Sequence, residues 1–495
     1  MKNDLENFTT FLPVKISNIL KKINLNEKGI IFTVDKNFRL KGSISDGDLR
    51  RFALKGGNLN SIINNQSRLI NKKPVSLNIK ENLEKILKIL NSKIKNREIS
   101  CLPLIDDNGK IVDISTKERV RRFPLASPII GEQELLNVVD VIKTGWISSR
   151  GSYINSFEKK FSEYLGGGFS VALSNGTNAL QIGLMSLGIK NGDEVIVPNF
   201  TFGGTINAVI NSGAKPVIAD VSLRNWTINL ENIKKKITKK TKAIMPVHIY
   251  GQPYEIDEIK KFAKKKRIKI IDDCAEAVGA KYKNRVVGLE NDCSCFSFFA
   301  NKTITTGEGG MVVFKDPKIA QKARIIINQG LSDKKKYYHN YAGTNFRMTN
   351  MQASIGVAQL DSINHFLDIR KKIFNFYDKE FKTKKYLTLL PKNNWSENSY
   401  WLYTLLVNNL GEKRRNQIIF NLQKFGIECR PGFYSLNKMR PFKKYSKGNY
   451  KNSNYLSDNT ISLPTTNLTK KNQIYIIEKF LEECERYLNV SINSC

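Results

Sequence analysis

The stretch CFSFFANKTITTGEGG, residues 295–310, carries one lysine between an apolar aromatic run and a turn rich in threonine and glycine. The run before Lys302 is typical of a buried strand, and Met311 to Phe314 predict a second strand that leads away from the turn. A lysine placed there is flanked by residues that exclude water. Because desolvation disfavours the ammonium form, Lys302 is predicted to offer a neutral amine that can attack a carbonyl group.

Two segments upstream supply groups that complement such a lysine. Residues 170–173 predict a strand, and the small polar residues 174–178 connect it to a helix start, where free N–H groups and hydroxyls can bind a phosphate. The run 268–272 predicts a strand that ends in carboxylates, at the position where open α/β sheets bind ligands. Lysine, acid and phosphate-binding turn together predict a pyridoxal phosphate (PLP) site.

Between residues 170 and 330, short β-branched runs alternate with helical stretches. Besides the strand at 170–173, the predicted strands are 194–198, 216–220, 243–247, 268–272, 295–299 and 311–314. This alternation predicts an α/β fold with a mainly parallel sheet covered by helices on both faces. Functional side chains are then expected at the strand ends.

The region from about 124 to 490 resembles the DegT-like family of PLP-dependent sugar-nucleotide aminotransferases. The resemblance is carried by the lysine motif of residues 297–310 and by the run DCAEAVG at 273–279. It implies the fold-type I architecture of PLP-dependent transferases. The expected domains are a separate N-terminal unit at 1–122, a PLP-binding large domain at 124–360 and a smaller C-terminal α+β domain at 361–495.

The resemblance also implies which residues bind the cofactor phosphate and ring. Gly176 and Thr177 are expected to bind the phosphate, and Ser297 is expected to add its hydroxyl. Phe202 is expected to stack on one face of the pyridine ring, where a flat aromatic side chain excludes water.

The reactive groups of the predicted site are two acids and the lysine. Asp273, rather than Asp272, is expected to hold the ring nitrogen protonated, because it directly precedes the small-residue run of the motif. Glu276 is expected near the cofactor O3′. Lys302 is expected to anchor the cofactor and to act as general acid and base.

For the substrate, the resemblance implies contacts from Trp146, His339, Arg347 and Tyr434. His339 and Arg347 belong to a loop that family members extend into the neighbouring subunit's site. A homodimer with shared sites is therefore expected.

The expected reaction moves the amino group of glutamate to a nucleotide-diphosphate sugar of the 4-keto-6-deoxy class, for surface polysaccharide synthesis. Family members that resemble 3-dehydratases carry histidine at the lysine position, so Lys302 favours amino transfer. Ser435 and Asn437 stand where proline and histidine are usual, which leaves the sugar and the nucleotide open. The alternatives are a PLP-dependent dehydratase or 3-aminotransferase, and a catalytically inactive nucleotide sensor.

Residues 1–122 contain a repeated pattern of strand, turn, strand and helix start, which resembles a tandem CBS module. In that family a serine or threonine and an aspartate three residues later contact the ribose of an adenine nucleotide. Ser45 and Asp48 match this spacing. In the second copy Thr116 keeps the hydroxyl, but Arg119 replaces the aspartate. The sequence therefore predicts at most one ribose site, or a degenerate module that serves oligomerisation.

Lysine and arginine make up 80 of the 495 residues, and the formal net charge is +35. Such a charge can indicate nucleic-acid binding, but the basic residues are spread along nearly every helix instead of forming a basic tail. No nucleic-acid partner is predicted. A positive field would still attract a phosphorylated cofactor and a sugar diphosphate.

The sequence contains no run of ~18 apolar residues and starts without a signal-like segment, which predicts a cytoplasmic protein with no membrane contact. Its seven cysteines are scattered. Cys293 and Cys295 are expected on one face of a strand as ordinary buried residues. No metal site is predicted, since a second pair at zinc spacing is lacking.

Overall fold

The computed structural model describes residues 2–81, 83–94, 97–116, 123–332 and 334–488. It divides into two units, one of Met1–Phe123 with Phe420–Glu428 and one of Pro124–Ile419 with Cys429–Cys495. Among the described residues, every helix is too short or too polar to cross a membrane.

Before residue 124, four helices and ten strands are described. The helices are Lys2–Phe8 (α1), Ile16–Asn26 (α2), Asp46–Leu54 (α3) and Leu83–Leu90 (α4). The strands are Thr9–Phe11 (β1), Val14–Lys15 (β2), Ile30–Val34 (β3), Leu40–Ser45 (β4), Ile62–Ile63 (β5), Leu77–Asn78 (β6), Lys93–Ile94 (β7), Arg97–Glu98 (β8), Cys101–Ile105 (β9) and Ile111–Thr116 (β10).

These elements form two similar halves, each with a three-stranded sheet, β1-β3-β4 and β10-β9-β6. In each sheet a parallel pair adjoins an antiparallel hairpin. The two hairpins pair at their tips, since the Leu40 N–H donates to the Gly109 carbonyl (3.0 Å) and the Ile111 N–H donates to the Phe38 carbonyl (2.9 Å). This reciprocal pair joins equivalent positions of the two halves, so the repeat seen in the sequence is present in the structure.

From residue 124 onwards, the described helices are Glu132–Thr144 (α5), Ser152–Leu165 (α6), Gly176–Ser186 (α7), Gly203–Asn211 (α8), Leu230–Lys234 (α9), Ile256–Lys266 (α10), Pro317–Ile327 (α11), Asn350–Asp361 (α12), Ile363–Phe381 (α13), Glu412–Lys424 (α14), Lys451–Asn459 (α15) and Lys470–Leu488 (α16). Short 3₁₀ turns span Ile249–Gly251, Leu436–Lys438 and Arg440–Tyr445.

The strands of this region are Phe169–Leu173 (β11), Glu194–Pro198 (β12), Lys215–Ala219 (β13), Thr241–Ile244 (β14), Lys269–Asp273 (β15), Lys281–Tyr282 (β16), Arg285–Val286 (β17), Cys293–Ser297 (β18), Gly310–Phe314 (β19), Leu387–Thr388 (β20), Ser396–Glu397 (β21), Tyr403–Val407 (β22), Arg430–Pro431 (β23) and Thr460–Leu463 (β24).

A seven-stranded sheet of order β11-β19-β18-β15-β14-β12-β13 forms the centre of this region. All neighbouring strands are parallel except at β19, which runs antiparallel to β11 and β18. The predicted mainly parallel sheet is confirmed. β18 ends at Ser297, two residues before the predicted end, because the main chain of Phe298 turns to pair with Gly309 and Thr306.

Both faces of this sheet are covered by apolar side chains. On one face Phe296 of β18 packs with Phe157 and Phe161 of α6, and on the other face lie Cys293 and Cys295. The two cysteines are buried and unpaired, as expected for strand residues that share a face. Among the described residues, no group of side chains is suited to hold a metal ion.

A second, four-stranded sheet of order β20-β22-β24-β23 follows towards the C-terminus and is entirely antiparallel. With α13 and α16 alongside it in the sequence, it agrees with the expected smaller α+β part of the chain. The domain limits at 122, 360 and 495 stay predictions.

Gly310 at the start of β19 allows that strand to approach the turn before α7. A Cβ atom at Gly310 would lie 2.3 Å from the Asn175 carbonyl oxygen and 2.8 Å from the Gly176 nitrogen. We expect Gly310→Ala to lower the free energy of unfolding by about 1–3 kcal/mol, because backbone meets backbone there and neither can move aside. Urea unfolding measures the change.

The matched control is Gly203→Ala, whose Cβ would lie in ordinary contact, 3.8 Å from Phe442. Equal stability of the two variants would contradict the predicted close approach at Gly310.

Candidate active site

Lys302 lies in the turn that follows β18, where its N–H donates to the Phe299 carbonyl (2.9 Å). Its Nζ atom is 3.6 Å from the centroid of the Trp401 ring. Desolvation by burial lowers the pKa of Lys302, and the charges of Glu276 and Asp273 oppose this shift. The direction agrees with the prediction from the sequence, and the lysine is within electrostatic reach of both predicted acids.

Asp273 is the last residue of β15 and is only 4% exposed. Its Oδ2 atom accepts a hydrogen bond from the Thr205 hydroxyl (2.8 Å), and Oδ1 accepts one from the Ala275 N–H (3.1 Å). Burial raises the pKa of Asp273, while these hydrogen bonds and the charge of Lys302 lower it. The carboxylate is thus oriented by two donors on one side.

The neighbouring Asp272 serves a different purpose. Its carboxylate accepts hydrogen bonds from the Tyr254 hydroxyl (2.6 Å), the Asn291 amide (3.0 Å) and the Ser294 hydroxyl (3.2 Å). Burial raises the pKa of Asp272 to about 7, against the effect of these donors. Because successive strand side chains point to opposite faces, this polar network lies away from Asp273, which supports the choice of Asp273 as the cofactor acid.

Glu276 is held by Tyr250, a residue that the sequence analysis did not single out. The Tyr250 N–H donates to Glu276 Oε2 (2.5 Å), and the Tyr250 hydroxyl accepts from the Phe433 N–H (2.9 Å). Tyr250 has a left-handed backbone with φ of 49°, and its ring stacks on Phe433 at 5.0 Å. In the sequence, the position of Tyr250 directly before Gly251 was the signal that could have identified this turn. Burial raises the pKa of Glu276 to about 8.

The predicted phosphate-binding turn forms the start of α7. Asn175 caps this helix by accepting from the Asn178 N–H (2.9 Å). The N–H groups of Gly176 and Thr177 belong to the first turn, which has no acceptor within the helix. A Cβ at Gly176 would lie 2.7 Å from Cβ of Ser297, so the glycine brings these N–H groups against that serine. An anion is favoured at such a helix start.

Thr177 and Phe202 meet at Gly204. A Cβ atom at Gly204 would lie 3.0 Å from the Thr177 hydroxyl and 3.2 Å from the Phe202 ring. The Phe202 side chain is 63% exposed, and its ring centroid lies 6.0 Å from that of Phe433. These groups fit PLP. The open face of Phe202 and the acid of β15 suit its aromatic ring, the start of α7 suits its phosphate, and Lys302 suits its aldehyde.

The predicted substrate residues Trp146 and His339 lie on exposed loops. Trp146 is 59% exposed, and its carbonyl accepts from the Asn350 amide (2.8 Å). The Nδ1 atom of His339 lies 2.7 Å from the Gln329 carbonyl oxygen. In the described part of the chain, neither side chain contacts Lys302 or the acids.

Arg347 lies beside the end of a central strand, and Tyr434 lies beside Arg415. The main chain of Arg347 forms a bridge with Leu173, the last residue of β11, and its Nη1 donates to Asn328 Oδ1 (2.8 Å). The Tyr434 hydroxyl accepts from Arg415 Nη2 (3.1 Å). Arg347 is therefore placed beside the phosphate-binding turn, whereas Tyr434 is tied to a buried arginine.

The departure at Asn437 has a structural counterpart that the sequence analysis missed. Asn199 and Asn437 exchange hydrogen bonds, from Asn199 Nδ2 to Asn437 Oδ1 (2.7 Å) and from the Asn437 N–H to Asn199 Oδ1 (2.9 Å). The side-chain amide of Asn199 both donates and accepts, whereas Asn437 accepts through its side chain and donates through its main chain. The pair fixes the segment that carries Ser435 to the end of β12.

Ser45 and Asp48 form a capping box at the start of α3. The Ser45 hydroxyl donates to Asp48 Oδ2 (2.6 Å), and the Asp48 N–H donates back to it (3.3 Å). Arg51 pairs with the other carboxylate oxygen. The same spacing that resembles a ribose site is thus used as a helix cap. Arg119 lies outside the described residues.

Comparison with known proteins gives matches in both parts of the chain. A model of the DegT/DnrJ/EryC1/StrS aminotransferase family matches residues 128–481, and a model of the CBS domain matches residues 67–125. GDP-perosamine synthase of Escherichia coli O157:H7 is 38% identical over 367 residues, which cover 73% of this chain and 99% of that protein. GDP-perosamine synthase of Caulobacter vibrioides is 37% identical over 350 residues, 70% of this chain and 93% of that protein.

Among solved structures, a putative sugar aminotransferase from Streptococcus pneumoniae in its PMP form matches with a TM-score of 0.71. It is 30% identical, and the match covers 74% of this chain and 99% of that chain. The same protein has been solved in its PLP form. The predicted fold class and the PLP cofactor are confirmed.

The raised pKa of Glu276 predicts a pH-dependent loss of stability. Between its usual value of 4.5 and about 8 the folded protein binds more protons than the unfolded chain, so stability falls as the pH rises through this window. Glu276→Gln removes this loss and can still accept from Tyr250. We expect the variant to match the wild type near pH 4.5 and to exceed it at pH 8.5, by at most about 5 kcal/mol.

The test is the melting temperature of the cofactor-free protein across this pH range. A difference between Glu276→Gln and wild type that stays constant with pH would contradict the assignment.

Proposed function

Because the chain belongs to the DegT/DnrJ/EryC1/StrS aminotransferase family, we propose that it moves the amino group of glutamate to a 4-keto-6-deoxy sugar nucleotide. It is a PLP-dependent sugar aminotransferase that also carries a CBS domain. The observation that carries the proposal is that the turn with Lys302 follows β18, the parallel neighbour of β15, which ends at Asp273. Surface polysaccharide synthesis is the proposed destination of the product.

Bound PLP supplies the carbonyl that exchanges amino groups and the electron sink that makes the neighbouring C–H bond acidic. Asp273 would keep a proton on the ring nitrogen, since Thr205 and Ala275 fix its carboxylate. The neutral amine of Lys302 would take the α proton of glutamate as a general base. Its ammonium would return a proton in the second half-reaction, at the sugar carbon that receives the amine.

A GDP-linked sugar is the proposed acceptor. The relatives named GDP-perosamine synthase match nearly their whole length at 37–38% identity, and the lysine motif resembles theirs. The pairing of Asn437 with Asn199 holds the segment proposed to face the sugar nucleotide, with Tyr434 as a proposed contact.

We also propose a homodimer in which His339 and Arg347 reach the site of the second copy. Leu135 and Ile142 of α5 are 62% and 59% exposed, and Trp146 follows them in the next loop. Contiguous exposed apolar side chains of this kind mark protein–protein contacts. A second copy of this chain would cover them.

For the N-terminal region we propose an adenine nucleotide as ligand, with Ser45 and Asp48 contacting its ribose. The carboxylate of Asp48 is partly buried and carries a lowered pKa, with hydrogen bonds from Ser45 and Arg51 as the lowering causes against desolvation. It therefore stays charged and able to accept from hydroxyls. The ribose would have to compete with the helix cap for these oxygens.

Lys302→Ala is expected to abolish amino transfer, with a fall of more than about 1,000-fold, because anchor and general acid/base are lost together. The assay supplies glutamate and a GDP-linked 4-keto-6-deoxy sugar, and follows 2-oxoglutarate and the amino sugar nucleotide by mass spectrometry. Lys315→Ala, at the end of β19, is the control and should keep wild-type activity. A dehydrated sugar product, or 2-oxoglutarate formation by Lys302→Ala, would contradict the proposal.

Replacing both Leu135 and Ile142 by glutamate is expected to yield monomers, because these residues share one face of α5 and would place charges in the contact. Sedimentation or light scattering measures the mass, and amino transfer should fall with the dimer fraction. Leu223→Glu, another exposed leucine at 44%, is the control. A monomeric wild type, or a dimeric double variant with full activity, would refute the shared-site dimer.

A further inference from the structure

Trp401 contacts both the amine of Lys302 and the main chain beside it. The Trp401 ring is only 4% exposed, and its Nε1–H donates to the carbonyl of Asn301 (2.9 Å). Nζ of Lys302 lies over the same ring, 3.6 Å from its centroid. The hydrogen bond fixes the indole next to the lysine backbone, and the indole face is then directed at the amine.

Arg370 of α13 links the same two segments from behind. Its side chain is buried, at 2% exposure, and Nη1 donates to the Trp401 carbonyl (2.7 Å) while Nη2 donates to the Lys302 carbonyl (3.3 Å). Burial lowers the pKa of Arg370 to about 10. In the part of the chain that the structure describes, no carboxylate forms an ion pair with this guanidinium.

Burying a guanidinium without a carboxylate partner costs free energy. The hydrogen bonds of Arg370 must therefore be ones that a smaller or neutral side chain could not make. The planar fork of arginine holds two carbonyl groups at a fixed separation, which a lysine ammonium cannot do. Arg370 therefore sets the distance between the turn that carries Lys302 and the segment that carries Trp401. These segments lie far apart in the sequence.

We propose that the Trp401 ring is the resting place of the Lys302 amine whenever that amine is not bonded to the cofactor, and that Arg370 is the positioning residue that keeps the ring there. This inference rests on the proposed function, in which Lys302 is released and must return. An aromatic face attracts an ammonium ion, but indole has no lone pair that could accept a hydrogen bond from it.

The charges of Asp273 and Glu276 also favour the ammonium form of the amine. A carboxylate contact alone would hold the ammonium firmly in place. The indole face instead provides a weaker, less directional attraction, from which the amine can move to collect or deliver a proton.

The test is competitive labelling of Lys302 with acetic anhydride in the cofactor-free protein over a pH series, with mass spectrometry of the labelled peptide. This gives the pKa of one lysine without any turnover. Trp401→Leu keeps the surroundings apolar but removes the ring, so the pKa of Lys302 should fall by about 0.4–1.5 units. Trp401→Phe keeps an aromatic face, so the pKa of Lys302 should stay close to its wild-type value.

Trp395→Leu is the matched control, because Trp395 packs on Tyr282 and should leave the pKa of Lys302 unchanged. An unchanged or raised pKa in Trp401→Leu would overturn the assignment of Trp401. A shift of the same size in Trp395→Leu would also overturn it.

Arg370→Lys tests whether Arg370 positions the Trp401 ring or only stabilises the fold. If Arg370 acts through Trp401, its replacement should lower the pKa of Lys302, and the double variant with Trp401→Leu should show no further shift. A lowered melting temperature with an unchanged Lys302 pKa would reduce Arg370 to a structural role and overturn the proposal for it.

The labelling result is independent of the amino-transfer assay. If the wild-type protein shows no amino transfer but Trp401→Leu shifts the pKa of Lys302, the proposed function is refuted and the Trp401 contact stands. If the wild-type protein transfers the amino group but Trp401→Leu leaves the pKa of Lys302 unchanged, the contact is refuted and the proposed function stands.

Discussion

One constraint dominates the catalytic part of the chain, namely that a lysine amine must be kept out of water beside two carboxylates. Desolvation lowers the pKa of Lys302 and raises the pKa values of Asp273 and Glu276, while the opposite charges counter each shift. None of the three groups would be stable there alone, since an unpaired buried charge is costly. Removing one partner is therefore expected to change the protonation of the others.

The central sheet meets this constraint by placing these groups at neighbouring strand ends. Asp273 ends β15, and the turn with Lys302 follows β18, which pairs with β15 in parallel. Glycines bring the remaining parts close, at Gly176 against Ser297 and at Gly310 against the turn before α7. The site is thus a consequence of strand order, because carboxyl ends of adjacent parallel strands share one edge.

Local patterns predicted the lysine, its acid and the phosphate-binding turn because each lies at the end of a short apolar run. The choice of Asp273 over Asp272 came from the motif and stays a prediction, and in the structure Asp272 is engaged by a separate network. Tyr250, Trp401 and Arg370 were not predicted. Their contacts join segments that are distant in sequence, and apart from the turn at Tyr250 and Gly251 no local pattern distinguishes these residues from other buried side chains.

The spacing of Ser45 and Asp48 shows a different limit, because one pattern serves two purposes. A serine followed three residues later by an acid matches both the ribose motif and a helix cap, and in the structure the two residues form the cap. The repeat of the N-terminal region, in contrast, was recognisable, since both halves use the same strand and turn order.

Borohydride reduction of the protein loaded with PLP, followed by peptide mapping, tests directly whether Lys302 binds the cofactor covalently. We expect the cofactor mass on the peptide with Lys302 alone, and we expect incubation with glutamate before reduction to remove it, since the amine is then released. Attachment to another lysine, or attachment to Lys302 that glutamate leaves unchanged, would contradict the claim that Lys302 exchanges its cofactor with the amino donor.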